Sequence, residues 1–155
     1  MKKETFSDRL LTEHSDSAFR RAFQTYFSEL GISVADWAGL WREMDASGEN
    51  VTFLRRGSDG EAIAFLMAVP MEFSSWFFTE RRGFLREFWV RRDCRGRGHG
   101  AALLAQAEEH FRGQGIHTMI LTTDTAEGFY LRHGYEKDPG CRAKNGDDVF
   151  IKRLT

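Results

Sequence analysis

The chain has 155 residues, with 22 Lys plus Arg against 23 Asp plus Glu, and two cysteines. That length fits one domain, 1–155, whose core needs no disulfide or metal staple, and a formal charge of -1 supplies no bulk field for gathering nucleic acid or an anionic membrane. Cys94 and Cys141 make no disulfide framework, the opening MKKETFSDRL lacks a secretory apolar run, and no stretch nears the roughly 20 apolar residues of a bilayer span, so a cytoplasmic protein is expected.

Residues 9–13 read as a short strand. Asp16 then stands where a cap is needed for a helix whose apolar positions Phe19, Ala22, Phe23, Tyr26, Phe27 and Leu30 recur at helical spacing, with Gly31 at its end. Ser33 with Asp36 resembles a capping box before a second helix striped by Trp37, Leu40, Trp41 and Met44. The period then changes, and residues 51–56 and 61–69 read as an antiparallel pair joined by the Gly-Ser-Asp-Gly turn at 57–60. Residues 71–83 stay open between an edge strand, a core contact and an exposed aromatic loop around Trp76, Phe77 and Phe78.

A strand at 84–90 follows, then an Arg- and Gly-rich segment at 91–100, then a helix with Leu103, Leu104, Ala107 and Phe111 on one face, closed by Gly113 and Gly115. Residues 116–123 read as a buried strand, which completes a βαβ unit with parallel strands. Asp124 with Glu127 suggests a second capping box before a short helix ending at Gly134, and residues 149–154 read as a terminal strand.

The chemistry concentrates in Arg95-Gly96-Arg97-Gly98-His99-Gly100, where glycines permit close backbone approach and the following helix start offers unpaired N–H groups and a positive dipole end. It is an anion cradle by composition. The segment lacks the Gly-Lys-Ser/Thr of a Walker loop and the third glycine of a dinucleotide fingerprint, which weakens both nucleotide readings. Taken alone it is equally a tight strand-to-helix turn.

With its surroundings, the segment resembles the GCN5-related N-acetyltransferase (GNAT) family. Glu87-Phe88-Trp89-Val90 followed by Arg95 to Gly100 is similar to the family's acyl-coenzyme A strand and R/Q-x-x-G-x-G/A loop. Ala126, Phe129, Tyr130, Gly134 and Tyr135 match its A-x-x-h-Y-x-x-x-G-[FY] helix and turn, and the order of elements agrees. The resemblance implies a mixed α/β acyl-CoA N-acyltransferase fold. Its mostly antiparallel sheet would have about six to seven strands with a splayed parallel pair, flanked by about four helices.

It also implies acetyl-CoA as co-substrate: Phe88, Trp89 and Val90 holding the pantetheine arm like an added strand, and amides of Gly96, Gly98, His99, Gly100 and Ala101 holding the pyrophosphate. Arg95 and Arg97 would add phosphate contacts or stand as solvated charges, and Thr123 and Ala126 would touch the arm. Thr123 replaces an Asn common in the family, and His99 replaces an apolar residue, so its ring would sit near the phosphates or reach solvent.

An alkylammonium has no lone pair at neutral pH, so an attacking amine needs a base, and Glu87 matches the position where the family often places one. Glu87 reads alternatively as solvent-facing or paired with Arg86 or Arg81. Tyr130 matches the family's general acid for the leaving thiolate, or else is an ordinary buried aromatic beside Phe129.

Cys94 has no histidine at a partner spacing, and the five histidines show no metal-ligand spacing with the cysteines, so no metal is expected. The acceptor reading is a primary amine of a small molecule or peptide. Trp37, Trp41, Trp76, Glu72, Glu80, Asp147 and Asp148 would suit a cationic one, although the tryptophan stripe also suits a core. Two other classes stay in view: a non-catalytic CoA-binding regulatory or partner-binding domain, and an acetyltransferase acting on aminoacyl-tRNA. The near-neutral charge makes a nucleic-acid partner the weaker of these. Trp76 to Phe78, if exposed, would form a homodimer patch.

Overall fold

A computed structural model describes residues 5–155 as one seven-stranded sheet with helices on both faces. In chain order the elements are β1 (Phe6–Leu11), α1 (Ser17–Glu29), α2 (Trp37–Ala46), β2 (Val51–Gly57), β3 (Ala62–Ser74) and β4 (Thr79–Val90). There follow a short 3-10 turn (Arg92–Cys94), α3 (His99–Gly113), β5 (Thr118–Thr123), α4 (Glu127–Arg132), β6 (Glu136–Lys137) and β7 (Asp148–Arg153). Neighbours across the sheet run β1-β2-β3-β4-β5-β7-β6.

Asp16 caps α1 as the spacing predicts, its carboxylate accepting from the Phe19 amide at 2.9 Å. The other two caps differ. Asp36 itself caps α2, accepting from Gly39 N at 2.9 Å, so Ser33 lies outside the helix. At α4 neither Asp124 nor Glu127 supplies a cap bond; Thr123 Oγ1 accepts from Ala126 N at 3.0 Å instead. A hydroxyl at the end of β5 reaches the amides of the turn, which leaves Asp124 no donor to satisfy.

The core lies on both faces of the sheet because β3 is apolar at every position from Ala62 to Ala68. Ala64, Leu66 and Ala68 join Leu103, Leu104, Ala107 and Phe111 of α3 on one face. Phe65 and Met67 join Phe19, Phe23, Trp41 and Met44 of α1 and α2 on the other. The tryptophan stripe of α2 is thus core: Trp41 is buried and Trp37 stacks on it at 5.1 Å.

Residues 71–83, open in the sequence, form the far half of the β3–β4 hairpin, with Ser75 N bonded to Phe78 O at its turn. Trp76, Phe77 and Phe78 at that tip are 96%, 86% and 76% exposed.

Two irregularities of β4 prepare the site. Glu87 pairs with Met67 but Leu85 with Ala68, so Arg86 is an extra residue, a β-bulge. Beyond it the strand leaves its parallel neighbour: β4 and β5 pair only at Gly83 with Met119 and Phe84 with Ile120. Bulges bend strands and add twist, which accounts for the divergence.

Candidate active site

The divergence of β4 from β5 opens a cleft of about 730 Å³, within the range of small-molecule sites. Phe88, Trp89 and Val90 form one wall, Thr122, Thr123 and Ala126 another, and Phe129 and Tyr130 of α4 the base. Arg91 N bonds to Ile63 O of β3, so by strand alternation the backbone groups of Val90 and Phe88 face away from β3, toward the cleft. Among the described residues no strand pairs with them on that side.

At the cleft's end, Gly96 (φ 77°) and Gly98 (φ 86°) hold left-handed conformations, and α3 starts at Gly98 without a side-chain cap. Uncapped first-turn amides and the helix dipole at this end suit an anion. The loop's glycines also admit close approach: a Cβ on Gly100 would come within 3.3 Å of the Phe88 ring. These features fit the residues expected to hold a phosphorylated cofactor arm.

Side chains of the loop go elsewhere. Arg95 Nε donates to Val90 O at 2.9 Å and its guanidinium lies 3.9 Å from Glu29, so it folds back along the cleft wall. Arg97 is exposed. His99 corrects the expectation that its ring would reach solvent. It is 2% exposed, with Nδ1 3.0 Å from Arg55 Nη1 and its edge on the Phe6 ring. As the first residue of α3 it points inward, and Arg55, itself buried and held by Asp8, meets it there. Gly100 lines the cleft and Ala101 follows it in the first turn of α3.

Thr123 lines the cleft while its Oγ1 accepts from Ala126 N, which leaves its own proton to donate. Tyr130 is 5% exposed, and burial pushes its phenol up. Among the described residues nothing hydrogen-bonds its hydroxyl, although Phe129 and Tyr135 pack on its ring.

Glu87 is half-buried, with the Arg86 charge beside it, and among the described residues no arginine is hydrogen-bonded to it. The bulge at Arg86 turns it, with Trp89, toward α1, where Tyr26 Oη donates to Glu87 Oε2 at 2.5 Å. Burial raises the Glu87 carboxyl above the ordinary range, against the opposing pull of the Tyr26 hydrogen bond and the Arg86 charge. Trp89 Nε1 donates to Glu29 Oε1 at 2.7 Å, so α1 is bonded to β4 at two points.

Sequence reasoning missed Tyr26, Glu29 and Arg86 as cleft residues. One signal was present: a tyrosine on a phenylalanine stripe needs a partner for its hydroxyl when buried. Of the residues considered for a cationic acceptor, Asp147 lines the cleft, Trp76 stands on the hairpin tip, and Asp148 pairs with Lys137. Among the described residues no group of three or more His, Cys, Asp or Glu is placed to hold a metal ion, and no helix is long and apolar enough to cross a membrane.

Solved structures share this architecture at low identity. A predicted acetyltransferase from Clostridium acetobutylicum, solved with acetyl-CoA, aligns with TM-score 0.75 at 16% identity over 90% of this chain and 95% of its own. NAA60 of Arabidopsis thaliana, in complex with a bisubstrate analogue, gives 0.74 at 14% over 97% and 99%. N-acetylglutamate synthase of Neisseria gonorrhoeae, with coenzyme A and N-acetyl-glutamate, gives 0.69 at 19% over 99% of this chain but 36% of its own. No curated protein matches. The model of the acetyltransferase (GNAT) family matches residues 10–135, most of the chain's length, and the chain belongs to that family.

Proposed function

We propose that this chain is a single-domain N-acetyltransferase that moves the acetyl group of acetyl-CoA to a primary amine of a small molecule or peptide, by direct attack within a ternary complex, in the cytoplasm. The observation that carries the reading is the wedge between β4 and β5, with unpaired backbone on one wall, an uncapped helix start at one end and a buried tyrosine at its base. Family membership supports it, as do neighbours solved with acetyl-CoA or a bisubstrate analogue.

In this reading the Val90 N–H and both backbone groups of Phe88 bind the cofactor arm, the Val90 carbonyl being taken by Arg95. Thr123 donates its hydroxyl proton to the arm, and Ala126 packs on it. The amides from Gly96 to Ala101 hold the pyrophosphate, with Arg97 adding charge at the rim. Bound there, acetyl-CoA supplies an activated acyl group and a thiolate leaving group.

Glu87 takes the ammonium proton, and its raised carboxyl is better matched to an amine than an ordinary one. Tyr130 gives the thiolate its proton. Burial that raises the phenol raises an unpaired thiolate in the same cleft too, so the transfer does not run against the phenol alone. The exposed tip Trp76-Phe77-Phe78 supplies a contact surface for a second copy.

Calorimetric titration with acetyl-CoA, followed by a thiol-release screen over amines, amino acids and peptides, tests the reading. Binding with release supports it and names the acceptor class. Binding without release points to a CoA-binding regulatory domain, and no binding overturns it.

A further inference from the structure

Glu87 does not itself line the cleft, whereas Tyr26 does. The Tyr26 hydroxyl stands between them, bonded to Glu87 Oε2 at 2.5 Å. From this geometry we infer that Tyr26 is the residue that meets the acceptor amine and relays its proton to Glu87. The inference rests on the acetyltransferase reading and specifies how its base is reached.

The step balances without a co-reactant. Before attack, an N–H proton of the ammonium passes to Tyr26 Oη while the Tyr26 O–H proton passes to Glu87 Oε2. The nitrogen regains its lone pair, the tyrosine ends neutral as it began, and the carboxylate becomes a carboxylic acid. Tyr26 is fixed for this by its ring, which lies edge-on to Phe65 at 5.6 Å and Phe23 at 5.8 Å, so the hydroxyl cannot swing away without unpacking the α1 face.

The charged and titratable groups around the pair are few. Arg86 lies beside Glu87 on β4 and favours its carboxylate, Tyr130 approaches Tyr26 from α4, and Glu29 lies on α1 engaged with Trp89 and Arg95. None of these stands between Tyr26 and Glu87.

The test compares wild type, Tyr26→Phe and Glu87→Gln in two ways. In the free protein, carbon-13 NMR follows the Glu87 carboxyl against pH, its signal assigned by loss in Glu87→Gln. The Tyr26 hydrogen bond favours the carboxylate, so Tyr26→Phe should move the midpoint upward. In the reaction, with the acceptor from the thiol-release screen, kcat/KM should fall by about 100-fold in Tyr26→Phe, as for a lost proton-transfer group. Its acid limb should move upward with the carboxyl midpoint, and acetyl-CoA Kd should stay within about twofold of wild type. A purely structural tyrosine would lower the unfolding midpoint and, although the limb moves with the carboxyl, leave kcat/KM at pH values above the limb near wild type. A kcat/KM above the limb within about twofold of wild type in Tyr26→Phe overturns the relay while leaving the acetyltransferase reading intact. Wild type that releases no thiol with any acceptor overturns that reading, and the relay with it.

Discussion

Glu87, the base of the proposed reaction, is held in the fold at a cost to stability. Its folded carboxyl is raised by burial, so the folded state keeps a proton at pH values where the unfolded chain gives it up. Stability from this group is therefore fully present below the ordinary carboxylate value and is lost as pH rises through the raised one. A glutamine side chain in its place would be neutral throughout, and its amide oxygen can still accept from Tyr26. Thermal unfolding should show Glu87→Gln with a higher Tm than wild type at pH 7 and a smaller difference at pH 4, while turnover falls. A Tm below wild type at pH 7 would contradict the account. Glu87 and Tyr130 were singled out in the sequence because each sits in a motif with fixed spacing. Tyr26 was not, because helical spacing reports which face a side chain occupies and says nothing of what its hydroxyl meets 61 positions along the chain.

Elements lock the site through a few contacts between distant segments. Asp8 on β1 bonds Arg55 of β2 through two oxygens, at 2.7 and 2.8 Å, and Arg55 meets His99 at the start of α3. The Arg55 bond is the main reason the Asp8 carboxyl lies below its ordinary value. A depressed carboxyl gives stability that is present above the ordinary value and lost as pH falls through the folded one. Asp8→Asn should cost about 2 kcal/mol in urea unfolding at pH 7, with a gap that closes on acidification; a gap constant with pH would refute the ion-pair account.

At the junction of β4 and β5 the constraint is steric. A Cβ on Gly83 would lie 2.7 Å from Met119 Sδ and from a Phe111 ring carbon. Gly83→Ala should therefore destabilise by about 2 kcal/mol and weaken acetyl-CoA binding by shifting the point where the strands part. Retention of both wild-type stability and Kd would show that the junction is softer than its packing indicates. The βαβ unit itself was legible from period and punctuation. The bulge at Arg86 was not, since alternation through residues 84–90 puts Leu85, Glu87 and Trp89 on one face. The extra residue instead sends Leu85 to the α3 side and Glu87 to the α1 side.

For the whole molecule, the part the sequence left open is the part that leaves the sheet. Beyond Ala68, β3 has no β2 partner, and before Gly83, β4 has no β5 partner, so the hairpin's far half stands as a two-stranded ribbon. Aromatic enrichment alone could not separate core from tip, because burial depends on whether other strands reach that far. Such ribbons are marginal in water, and this one carries Trp76, Phe77 and Phe78 largely exposed. Three such rings offer about 500 Å² per copy, and a two-fold pair about 1,000 Å², the lower bound of a specific interface. Sedimentation equilibrium should accordingly find a dimer at micromolar concentration. The double substitution Trp76→Ser and Phe77→Ser should return it to monomer while leaving acetyl-CoA affinity unchanged, because neither residue lines the cleft. A wild-type protein that stays monomeric at about 100 μM, near -5.5 kcal/mol of association, would remove the tip as a self-contact and leave the ribbon's aromatics to another partner.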